Sequence, residues 1–121
     1  MADKNEVEKF LNELKEKIRV FDIVFRPRDK QLEGLIEIGI MPDQRKELIL
    51  NLKTENYCSG PNEDTFDPSK PNYYVFGIPM AHYEIYIKLS IGLPKKSVDC
   101  MSFHISDRKM KFPLKETENE K

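Results

Sequence analysis

The chain has 121 residues, 39% hydrophobic and 34% charged, with a formal net charge of −1. It is long enough to bury a core without staples, and too balanced in charge to act as an indiscriminate nucleic-acid coat. Two cysteines are too few for a disulfide framework, so reduced thiols are expected. No apolar run approaches membrane-spanning length and the N-terminus has no apolar signal region, so no membrane partner and a cytoplasmic location are expected.

The balance hides an asymmetry. Residues 88–115 carry seven cations (Lys88, Lys95, Lys96, Arg108, Lys109, Lys111 and Lys115) against Asp99 and Asp107, a net of +5 that leaves −6 on the remainder. A basic segment of this kind is an electrostatic footprint suited to phosphate, and otherwise a solubilising surface.

Val7, Phe10, Leu11, Leu14 and Ile18 fall at helical spacing over residues 6–19, which predicts an amphipathic helix packed on a core. Residues 20–25 are β-prone and read as a strand, with a helical extension as the alternative. Arg26-Pro27-Arg28 breaks the pattern, because proline disfavours helix in the residue before it. A short helix follows over residues 29–38, packing through Leu32, Leu35 and Ile36. Another over residues 44–52 packs through Leu48, Ile49 and Leu52.

Residues 54–72 are dense in turn formers and read as a long loop, usually functional or mobile inside a compact domain. Residues 73–78 resume a β-prone run, and residues 79–82 turn the chain. Then Ile85, Ile87, Leu89 and Ile91 alternate with Glu84, Tyr86, Lys88 and Ser90, the period of a half-buried strand. After the turn at residues 92–96, Met101, Phe103 and Ile105 share one face, with Cys100, Ser102 and His104 on the other. The pair predicts an antiparallel hairpin over residues 83–91 and 97–105. If Ile91 faces Ser97, Tyr86 lies opposite Ser102; a slip of two residues places it opposite His104. Either register gathers a phenol, an ammonium, a hydroxyl and an imidazole behind an apolar row. Residues 1–115 read as one domain, and residues 116–121 as a disordered tail without apolar anchors.

The motifs Glu55-Asn56-Tyr57 before Ser59-Gly60-Pro61, then Glu84-Ile85-Tyr86-Ile87-Lys88, then Met101-Ser102-Phe103-His104 carry a resemblance in their order and spacing. From about residue 7 to residue 115 the chain resembles the MqsR family of bacterial type II toxin–antitoxin toxins, within the wider RelE-like mRNA interferases. The resemblance implies an α+β fold, an antiparallel sheet with N-terminal helices packed on one face. It also implies mRNA cleavage without a metal or other cofactor, and a cognate antitoxin as partner. The family's tyrosine before Ile/Leu-Lys falls on Tyr86, and its basic residue after Ser-Phe falls on His104. Two positions depart from the best-known branch: Cys58 stands where that branch has lysine, and Val75 where it has glutamine.

Metal-free RNA cleavage needs a base for the ribose 2′-OH, positive charge on the phosphate and an acid for the leaving 5′-oxygen. An imidazole suits either base or acid, which makes His104 the candidate for the proton transfer. Tyr86 suits proton donation or phosphate orientation, with Lys88 supplying charge in the same catalytic group. Arg108, Lys109, Lys111 and Lys96 are the expected RNA-binding cations. A zinc site from Cys58, His82, Cys100 and His104 is disfavoured, since Cys100 and His104 are about 13 Å apart along a strand. A non-catalytic RNA- or protein-binding module on the same scaffold is the alternative reading.

Overall fold

Asp3 starts the first helix. Its Oδ1 accepts the Glu6 N–H at 2.9 Å while the Glu6 carboxylate accepts the Asp3 N–H at 3.1 Å, a reciprocal box worth about 1 kcal/mol. The structure, a computed structural model, describes residues 1–26 and 28–115; Pro27 and the tail expected to be disordered lie outside the described residues. Helix α1 (Lys4–Phe21) buries Val7, Leu11, Leu14 and Ile18, the stripe its periodicity predicts. Each such side chain contributes about 1.5–3 kcal/mol when fully removed from water.

The helical alternative holds for residues 20 and 21, and β1 (Ile23–Phe25) begins only after Asp22. Asp22 ends the helix at φ 66° and ψ −169°, a conformation glycine adopts far more readily, with its N–H on the Ile18 carbonyl and its Oδ1 accepting the Ile23 N–H at 2.8 Å. Helices α2 (Asp29–Glu37) and α3 (Gln44–Leu50) lie where expected. Leu35 and Ile49 are buried, but Ile36 is 44% exposed and Ile40 fills the core position instead.

The expected loop at residues 54–72 is corrected. Thr54–Asn56 forms a 3₁₀ turn, and β2 (Tyr57–Asn62) pairs antiparallel with β3 (Tyr73–Pro79), leaving residues 63–72 as the loop. The ladder has two register irregularities, and the second, between Ser59 and Asn62, accommodates Gly60 and Pro61 in this edge strand, where such residues are tolerated. Gly60 has φ 123°, and a Cβ there would stand 2.9 Å from the Tyr73 carbonyl oxygen. Its own carbonyl accepts the buried Tyr57 hydroxyl at 2.5 Å, and that hydroxyl accepts the Ala2 N–H at 3.1 Å.

With β4 (Glu84–Ser90) and β5 (Val98–Ile105) the sheet runs β1-β5-β4-β3-β2. All neighbours are antiparallel except β1 and β5, which are parallel, so the sheet is mixed rather than wholly antiparallel. The chain between β1 and β5 is long enough to make that crossover. One face carries Phe76, Ile85, Ile87 and Leu89 into the core, where Phe10 of α1 stacks on Tyr74 with ring centroids 3.9 Å apart. The other face carries the polar side chains.

Candidate functional site

The register between β4 and β5 assembles the site. Ile85 pairs with Ile105, Tyr86 with His104 and Lys88 with Ser102, the two-residue slip of the simplest turn-based pairing. Beyond Lys88 the ladder shifts, so that Leu89 pairs with Cys100. This bulge corrects the expected placement of Cys100 on the polar face: Cys100 and Met101 are both buried, and Cys100 belongs to the core cluster. Cys100 and His104 therefore serve opposite sides of the sheet.

Tyr86 and His104 stack, with ring centroids 5.0 Å apart and planes 18° from parallel. His104 Nδ1 lies 2.9 Å from the Ile105 carbonyl oxygen. A carbonyl only accepts, so this contact is a hydrogen bond in the tautomer with Nδ1 protonated, which leaves the Nε2 lone pair for a substrate proton. Burial, reinforced by Tyr73 and Cys58, holds the Tyr86 phenol above its ordinary pKa and keeps its proton in place. Lys88 Nζ sits 4.1 Å from the Tyr73 ring centroid, one residue pair along the same face. The pair Lys88–Ser102 is about 7 Å along the strands from Tyr86–His104.

After β5 the chain turns back as a strap across this face. The Met110 N–H donates to Glu84 Oε1 at 2.6 Å, and Ser106 N–H donates to the Glu84 carbonyl at 2.7 Å. Met110 and Phe112 lie directly over Gly77, where a Cβ would stand 2.7 Å from the Met110 sulfur. The strap and sheet enclose a groove of about 270 Å³ lined by Cys58, Val75, Tyr86 and the segment from Ser106 to Lys111. Arg108, Lys109 and Lys111 are exposed on its rim.

The structure thus brings together Tyr86, His104, Arg108, Lys109 and Lys111, with Lys88 beside them. Lys96 does not join them. It occupies the β4–β5 turn, its N–H on the Leu93 carbonyl, and Tyr86 to Ser90 alone spans about 13 Å of strand. The two positions where the sequence departs from the resembled branch, Cys58 and Val75, both line the Tyr86 groove. Burial and the nearby Glu84 charge push the Cys58 thiol up to about 12, which argues against a nucleophilic role.

Sequence reasoning missed a second set of residues. Lys30, Gln31 and Gly34 of α2 form a hollow of about 310 Å³ with His104, Ile105 and Asp107. Their proximity to His104 follows from α2 lying against β5, a contact no local pattern announces. Among the described residues, no group of three or more potential metal ligands is gathered, and no helix is long and apolar enough to cross a membrane. Comparison with protein-family models, with curated proteins and with solved structures finds no match to this chain.

Proposed function

We propose that this α+β protein is the toxin of a type II toxin–antitoxin pair and a metal-independent mRNA endoribonuclease, on a RelE-like fold of the MqsR kind. The observation that carries the reading is the stacked Tyr86–His104 pair, set on a sheet face rimmed by Arg108, Lys109 and Lys111. His104 Nε2 takes the proton of the ribose 2′-OH, and the 2′-oxygen forms a bond to the adjacent phosphorus. The bond from phosphorus to the 5′-oxygen breaks, and Tyr86 gives that oxygen its proton. A 2′,3′-cyclic phosphate and a 5′-hydroxyl result, and the imidazolium returns its proton to the phenolate. Lys88 and the strap cations offset the charge that develops on the phosphate.

The test is incubation of the purified protein with single-stranded RNA in excess chelator, alongside tightly induced expression with growth and mRNA integrity followed. Cleavage at defined positions and arrested growth are expected, and the adjacent gene is expected to encode a small antitoxin that relieves the arrest. A second reading, a non-catalytic RNA- or protein-binding module, is favoured by one observation: Val75 and a high-pKa thiol, rather than proton-transfer groups, line the groove beside Tyr86. Inert RNA and unaffected growth would select it.

A further inference from the structure

Three arginines that the sequence places far apart converge on one small cavity at the β5 bulge. Arg26 follows β1, Arg28 precedes α2 and Arg45 comes from α3; with Gln31 and Ser102 they line it, over a floor that includes Phe25 and Cys100. The cavity exists because β1 ends opposite Cys100, while β5 continues beneath α2 with an extra residue at Met101. The Arg45 guanidinium stacks on the Phe25 ring at 4.0 Å and donates to the Pro42 carbonyl at 3.0 Å, so its orientation is set before any ligand arrives. Arg26 is itself paired with Asp99 at 3.0 Å, which offsets part of its charge.

Its interior is about 10 Å³, room for one water-sized atom and no whole ligand. That size, with three arginines among the lining residues, suits one anionic oxygen of a group whose remainder stays outside. A phosphodiester is such a group, and arginine forks match its oxygens. The position is also suggestive of a chain running past: Gln31 lines both this cavity and the hollow that holds His104 and Lys30. Ser102 is two residues from His104 on β5.

We propose that Arg26, Arg28 and Arg45 form a phosphodiester subsite, in which the RNA phosphate neighbouring the one cleaved is seated beside Ser102. The proposal rests on the ribonuclease reading, and it places the RNA path along the β5–α2 cleft as well as across the strap. Arg28, exposed and outside the core, is the residue to change, because Arg28→Gln removes a cation without disturbing the Phe25 stack.

The probe is inorganic phosphate, titrated into the full-length protein with backbone amides followed by NMR. Phosphate is expected to shift the amides of Gln31, Met101 and Ser102, and Arg28→Gln to weaken that binding about tenfold. In cleavage assays Arg28→Gln is expected to raise KM about tenfold with kcat little changed, since the subsite does not touch the reacting atoms. Phosphate that shifts only the segment from Arg108 to Lys111 would overturn the site. Binding in the cavity with an unchanged KM would overturn its role toward RNA. A parent protein inert toward RNA would instead sink the ribonuclease reading, while the titration still decides the cavity.

Discussion

Tyr86 faces His104 across β4 and β5, their ring planes 18° apart and centroids separated by 5.0 Å. The pairing depends on the bulge that separates Lys88–Ser102 from Leu89–Cys100. Without the extra residue, a register continued from Leu89–Cys100 would set Tyr86 opposite Phe103 and turn His104 toward the core. The bulge thus lets one strand bury Cys100 and Phe103 while presenting Ser102 and His104.

His104→Ala is expected to lower RNA cleavage by about 10²–10⁴, the usual loss when a general acid or base is removed. The protein should remain folded, because His104 is half-buried on the polar face and outside the core cluster. Far-UV circular dichroism and single-turnover cleavage check this together. Cleavage at the parent rate would make His104 structural. Tyr86→Phe separates a proton donor, with a comparable loss, from a phosphate-orienting ring, with a smaller one.

Neutralising Lys109 and Lys111 together should weaken RNA binding and flatten its dependence on salt, since each lost phosphate contact reduces counterion release. Both are exposed on the strap. Fluorescence anisotropy over a salt series measures the slope. An unchanged slope would move the RNA elsewhere.

Gly77→Ala is expected to lift the strap. The new methyl would stand 2.7 Å from the Met110 sulfur and 2.9 Å from a Phe112 ring carbon, ends of side chains that give way before the sheet does. Trypsin should then cut at Arg108, Lys109 and Lys111 several-fold faster, as expected of a segment opened locally, with little change in global unfolding. Protection equal to the parent's would mean that the strap holds without Gly77.

Phe103→Ala should cost about 3–5 kcal/mol in denaturant unfolding. The ring is 5% exposed and meets Phe25 edge-on at a centroid distance of 6.4 Å, so truncation opens a void between β1 and β5. A loss under about 1 kcal/mol, the range of a well-tolerated surface change, would contradict this packing.

Burial pushes the thiols of Cys58 and Cys100 up to about 12, from an ordinary value of 9.0. The unfolded chain releases these protons first, so the folded state binds more of them as pH rises above about 9. Their stabilising contribution is present below that pH and is lost toward pH 12. Neutral-pH thiol labelling should therefore be slow in the native protein and fast in denaturant. Rapid labelling of folded Cys100 would contradict its burial.

Periodicity was enough to locate α1, α2, α3 and the β3–β4–β5 run, because burial of one face imposes a spacing that local sequence displays. It also set Tyr86, Lys88 and His104 on a common face, since side chains two apart on a strand point the same way. Three features could not be read that way. β2 lies within Tyr57–Asn62, whose glycine and proline look like loop, because its pairing is supplied by β3 rather than by propensity. The parallel partnership of β1 with β5 joins residues 75 positions apart, as in Ile23 with Val98, and no local signal specifies it. The one-residue bulge at Met101 has no local signal either: packing draws Cys100 into the core, and the extra residue then sets Tyr86 opposite His104 rather than Phe103. The convergence of Arg26, Arg28 and Arg45 is of the same kind: three elements meet at one place only once α2 and α3 are packed beside the sheet.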